Sequence, residues 1–229
     1  MPPPLVEICV EGLTDALAAG AGGADRVELC EHLAVGGVTP SAGAIAVACQ
    51  RLAIPVHVLI RPRGGDFVYS EAEFDAMRLD IAAARDLGAS GVVLGVLRAD
   101  GTIDADRMAA LISAARPLSV TFHRAFDATA DPITALDTLI DLGVDRVLSS
   151  GHSPTARDGI GLLRLLADRA SGRLIVLAGG RVTREDIAPL SRAGLSEIHI
   201  GSAACLVGRT HPDAVRRLVA EARSAADSS

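Results

Sequence analysis

Lysine is missing from all 229 residues, so each of the 22 basic side chains is an arginine. No amine is available to form a Schiff base with a carbonyl substrate, and that mechanism is excluded. Tryptophan is missing too, and aromatic residues make up only 2% of the chain. The core therefore has to be filled by Val, Ile, Leu and Ala, which suits helices packed over branched strands. Positive charge is in deficit, with 28 acidic residues and a formal charge of -6. Without a basic run to displace counterions, nucleic acid and anionic membrane are poor partners. No apolar stretch reaches the roughly 20 residues of a membrane span. The opening MPPPLVEICV has neither a basic n-region nor a long apolar one, so no signal peptide is expected. Cys9, Cys30, Cys49 and Cys205 form no CxxC pair, and free thiols in a reducing cytoplasm are the expectation.

What is present is an alternation. Branched runs at LVEICV (5 to 10), DRVELC (25 to 30), PVHVLI (55 to 60), GVVLGV (91 to 96), LSVTFH (118 to 123), DRVLSS (145 to 150), RLIVLA (173 to 178) and SEIHIG (196 to 201) read as strands. Ala- and Leu-rich amphipathic stretches near 13 to 21, 41 to 52, 71 to 87, 104 to 115, 132 to 142, 156 to 170, 183 to 193 and 212 to 224 read as helices. Eight such units predict an α/β fold, a single (β/α)8 TIM-type barrel over residues 1 to 229, with its core at about 5 to 210 and a C-terminal helix at about 212 to 224. Glycines in GGAD, LGAS, LGVD and AGLS stand where helices should stop. SEAEF (70 to 74) has the capping-box spacing of Ser70 and Glu73. The first turn, VEGLTD, lacks the G-x-G-x-x-G of an open dinucleotide-binding sheet.

In such a barrel the loops after the strands form the functional face. Polar residues collect there: Arg61, Arg63, Gly64, Gly65 and Asp66 after the third strand, His123, Arg124 and Asp127 after the fifth, Ser150 and Gly151 after the sixth, Gly179 and Gly180 after the seventh, and His199, Gly201 and Ser202 at the eighth. VEIC (6 to 9) and VELC (27 to 30) repeat one pattern on consecutive strands. Period-two alternation points Glu7, Cys9, Glu28 and Cys30 into the barrel and Val6, Ile8, Val27 and Leu29 toward the helices. Buried carboxylates need partners, so Glu7 and Glu28 are expected to meet Arg61, Arg124 or a histidine. His57, inside a strand, reads as a packed core residue, and Cys49 and Cys205 as filler.

Three chemistries stay open on these residues. Cys9 and Cys30 could offer two thiolates to a soft cation such as Cu(I). Arg61, Arg63 and Arg124, with Asp127, Ser150, Gly151, Gly179, Gly180, His199, Gly201 and Ser202 around them, could hold a small anionic or phosphorylated substrate. Glu7, Glu28, Asp66 and His123 could serve as general acids or bases on such a substrate. Structural ion pairing for the arginines, and core packing for the thiols, are the competing uses.

The ordered set VEIC, GADRVELCEHLAVGGVTPS, VLIRPRGGDFVYSEAEF, LGVLRADGTID, TFHRAFD, RVLSSG and EIHIGSA resembles the CutC family of copper homeostasis proteins from about residue 5 to 210. The resemblance implies a TIM-type barrel, a cytoplasmic homo-oligomer (dimer or tetramer) and a part in copper handling, with Cys9 and Cys30 at the positions considered for Cu(I). LAGGRV departs from the family's glycine run by placing Arg181 after Gly180. The competing function is a barrel enzyme of unassigned reaction acting on a small anion.

Overall fold

Each of the eight branched runs is a strand in the computed structural model, which describes residues 2–227. The strands are β1 (Leu5–Glu11), β2 (Arg26–Cys30), β3 (Val56–Leu59), β4 (Gly91–Leu94), β5 (Ser119–Phe122), β6 (Arg146–Ser149), β7 (Ile175–Gly179) and β8 (Glu197–Ile200). All neighbours pair in parallel in chain order, and β8 returns to β1, closing the barrel. The crossovers are α1 (Gly12–Ala21), α2 (Ala42–Arg51), α3 (Glu71–Asp86), α4 (Ala105–Ala115), α5 (Pro132–Asp141), α6 (Ile160–Ala170) and α7 (Ile187–Arg192), and α8 (Pro212–Asp227) follows the last strand. A two-stranded hairpin, β9 (Cys205–Leu206) with β10 (Arg209–Thr210), lies between β8 and α8. Among the described residues no helix is long and apolar enough to cross a membrane.

The punctuation works as its chemistry dictates. Gly23, Gly88, Gly143 and Gly194, one in each of the four expected stops, all take a left-handed backbone that side chains disfavour. Ser70 caps α3 by accepting the amide of Glu73, whose carboxylate accepts the amide of Ser70 in return. Two helices start later than their sequences suggest. Residues 156 to 159 stay irregular because Gly159 packs so close to the main chain of Ser150 that a Cβ there would lie 1.9 Å from its carbonyl oxygen. Arg184–Asp186 forms a 3-10 turn ahead of α7.

Alternation along the strands sorts the side chains into two cores. Val6, Ile8, Val27 and Leu29 join the large cluster between barrel and helices. Cys9, Cys30, Leu59 and Val93 form a separate small cluster inside the barrel. Each fully buried Val, Ile or Leu contributes about 1.5–3 kcal/mol relative to exposure, and with so few aromatics this layer of aliphatics carries most of the fold.

Candidate functional site

Inward positions near the start of the strands hold a buried charge network. Glu7 on β1 receives Arg26 Nε at 2.5 Å, and Arg26 Nη2 also donates to Glu197 at 2.6 Å. Arg146 donates to the same Glu197 oxygen at 2.8 Å and to Ser119 Oγ at 2.6 Å. Arg26 sits two residues before Glu28 and Glu197 two before His199, so alternation directs them inward as well. The same period-two signal that orients the repeated tetrapeptides therefore extends to Arg26 and Glu197. The expected meeting of Glu7 and Glu28 with Arg61 or Arg124 is corrected: the guanidinium that reaches Glu7 is Arg26, because Arg61 and Arg124 lie beyond the strand ends and bond to loops. The expected histidine is there, since His199 Nδ1 donates to Glu7 Oε1 at 2.7 Å.

These contacts set the local electrostatics. Burial alone would push the Glu7 carboxyl up, but the Arg26 guanidinium and the bond from His199 hold it well below the usual carboxylate range. Burial opposes charge on His199 too, yet the neighbouring Glu28 and Glu7 carboxyls raise it. Glu28 is raised, first by burial and then by the Glu7 charge, more than His199 can offset. His57, buried as a core residue 4.0 Å from Glu7, is lowered to about 4 by burial.

Above this network a cavity of about 290 Å³ opens at the carboxyl ends of the strands. Its floor is Cys9, Glu28, Cys30 and His199, and its wall includes Arg61, Phe67, His123 and Arg124. Donor atoms of Cys9, Glu28 and His199 lie within 4.8 Å of one another, a spacing that a metal ion can bridge. Cys9 donates to Glu28 Oε1 at 3.5 Å. Cys30, fully buried, donates to the carbonyl of Val10 at 3.3 Å and is not one of the three clustered donors. The adjacent Cys30 thiol, burial and the Glu28 charge together push the Cys9 thiol well above its ordinary value. With Nδ1 of His199 taken by Glu7, Nε2 is the nitrogen left for a ligand, the carboxylate–histidine arrangement that orients many metal-bound imidazoles.

The arginine that ends the apolar run of β3 is turned inward. Arg61 is 5% exposed, and its guanidinium donates to the carbonyls of Val35, Gly37 and Gly65 at 3.2, 3.0 and 2.8 Å. Gly36 makes this approach possible, because a Cβ there would stand 2.9 Å from Arg61 Nη1. Arg63 and Asp66 instead face outward, paired with each other at 2.9 Å, and Arg63 also bonds Glu73 at 2.6 Å. Asp66, expected among the acid or base groups, is 70% exposed and outside the cavity, because the segment after Pro62 turns outward over the rim.

Arg124 donates to Asp127 at 2.8 Å and Ser150 at 2.9 Å. Asp127 in turn accepts Ser149 Oγ and the amides of Ser150 and His152. Asp127 and Ser150 thus hold Arg124 in place, and neither they nor Gly151 line the cavity. Gly179, Gly180, Gly201 and Ser202 are also outside its lining. Gly180 packs on Ser150, where a Cβ would come within 2.7 Å of the Ser150 Cβ. Cys49 in α2 and Cys205 in β9 are half-buried free thiols outside the cavity lining.

Fold and cavity define a (β/α)8-barrel protein with a small pocket over a Cys, Glu and His floor. Residues 4–204 match the CutC family, and the chain belongs to it. It is 52% identical over 200 residues to a CutC family protein of Mesorhizobium japonicum, covering 87% of this chain and 78% of that one. Over 196 residues it is 47% identical to the human protein named copper homeostasis protein cutC homolog, covering 85% and 72%. The crystal structure of CutC from Streptococcus agalactiae superposes with a TM-score of 0.81 at 37% identity, covering 87% of this chain and 98% of that one.

Proposed function

We propose that this protein serves copper homeostasis in the cytoplasm by capturing Cu(I) at the floor of the barrel pocket. The observation that carries the reading is the convergence of Cys9, Glu28 and His199 within 4.8 Å. A soft cation prefers sulfur and accepts imidazole, so the Cys9 thiolate and His199 Nε2 are the ligands, with Cys30 beside them as a further sulfur. Glu28 already accepts the Cys9 S–H. It takes that proton as sulfur binds copper, so the thiol becomes a thiolate and the carboxylate a carboxylic acid. All four cysteines are free, which suits a reducing compartment. Membership of the CutC family supports the copper role.

Cu(I) titration of the reduced protein against a competing chelator tests this. One ion per chain is expected, held less tightly as pH falls because the ligands must be deprotonated. Cys9→Ser should weaken binding by about tenfold or more. Binding indifferent to Cys9→Ser and to His199→Gln alike would refute the site.

A further inference from the structure

Three buried polar atoms without a partner among the described residues belong to side chains that line this same pocket: Glu28 Oε2, Arg61 Nε and His123 Nε2. A buried donor left without an acceptor is destabilising, and native structures rarely keep such groups where no ligand or water meets them. A metal at the floor explains the carboxyl, and the Tyr69 hydroxyl stands beside the Arg61 guanidinium, which leaves the imidazole nitrogen unexplained.

The chemistry of the two nitrogens is fixed by their neighbours. His123 Nδ1 accepts the amide of Ala125 at 3.2 Å, so the ring proton resides on Nε2, which is a donor. Burial and the Arg61 charge hold His123 down to about 3, so it offers a neutral N–H rather than a cation. Arg61 Nε is an N–H donor by nature, and its guanidinium is held by main-chain carbonyls rather than by a carboxylate. Phe67 lies against both, 5.0 Å from the Arg61 guanidinium and 4.9 Å from the His123 ring. Arg124 brings a second guanidinium to the same wall. The wall therefore combines the Arg61 charge, the Arg124 guanidinium that Asp127 holds, and an imidazole N–H, all donors.

We propose that the pocket binds a small oxyanion, a carboxylate- or phosphate-bearing molecule, whose anionic group is held by Arg61, His123 and Arg124 while its remainder lies over Cys9 and Glu28. The cavity is at the small end of ligand pockets, which limits the ligand to a compact metabolite rather than a nucleotide or peptide. Charge-assisted bonds from arginine select oxyanions over neutral molecules of the same size. Glu28 Oε2 offers the far end of the ligand a polar partner. The site uses neither copper nor Cys9 for its anion contacts, so it stands or falls separately from the metal reading.

Isothermal titration calorimetry of metal-free, reduced protein with inorganic phosphate and, separately, malonate tests the proposal. Saturable binding of one anion per chain is expected, with the stronger of the two probes identifying the oxyanion class. Arg124→Gln and His123→Phe, each verified as folded by its thermal transition, should weaken binding by about tenfold or more. No saturation with either probe, or an affinity that survives both substitutions, overturns the proposal.

Discussion

Glu7 has no solvent contact, and Arg26, His199 and His57 surround it. Replacing it with Gln leaves Arg26 half paired and His199 without its carboxylate, and removing one member of a buried ion pair typically costs about 3–5 kcal/mol. Urea unfolding of Glu7→Gln should show a loss of that order. A loss under about 1 kcal/mol would mean that water or a shift of Glu197 replaces the contact. The inward direction of Glu7, Cys9, Glu28 and Cys30 was legible in two repeated tetrapeptides, because side chains along a strand alternate without exception over so few residues. The partner of Glu7 was not, since His199 is 192 positions away and reaches it only through closure of the barrel.

Loops and helices obey local rules that a sequence states openly. Ser70 and Glu73 form the reciprocal cap their spacing implies, and Ser70→Ala should lower the unfolding free energy by about 1 kcal/mol, measurable by thermal or urea denaturation. A change within error would show that solvent satisfies the same amides equally well. Local rules fail where a loop meets another loop. RPRGGD reads as one charged rim, yet Arg61 turns inward to three carbonyls while Arg63 and Asp66 turn out. The difference is decided by the glycine-containing loop after β2, whose main chain supplies two of the three acceptors for Arg61. Nothing within RPRGGD records that loop's position.

Across the whole barrel, buried imidazoles make stability depend on pH. His57 and His123 are lowered from 6.5 to about 4 and about 3, so the unfolded chain binds protons before the folded one does. Their contribution is complete above pH 6.5 and is lost as pH falls toward 4. Glu7, lowered from 4.5, extends the loss further into acid. His199, raised, acts in the opposite sense: its contribution is complete below 6.5 and disappears as pH rises through its folded value. Urea midpoints should therefore drop steeply between about pH 6.5 and pH 4, by an amount on the order of 3 kcal/mol per lowered histidine. His57→Gln should flatten part of that slope, and an unchanged slope would show that His57 is not buried neutral. At this scale the sequence by itself determined the eight-unit barrel, the stops between its units and which strand residues point inward, because strand alternation, helix periodicity and glycine conformation act over a few neighbouring residues. Only the tertiary structure decided that Cys9, Glu28 and His199 converge, that Arg26 neutralises Glu7, and that Asp66 stays outside. Those contacts depend on the stagger and closure of the barrel, which join residues distant along the chain and leave no local trace.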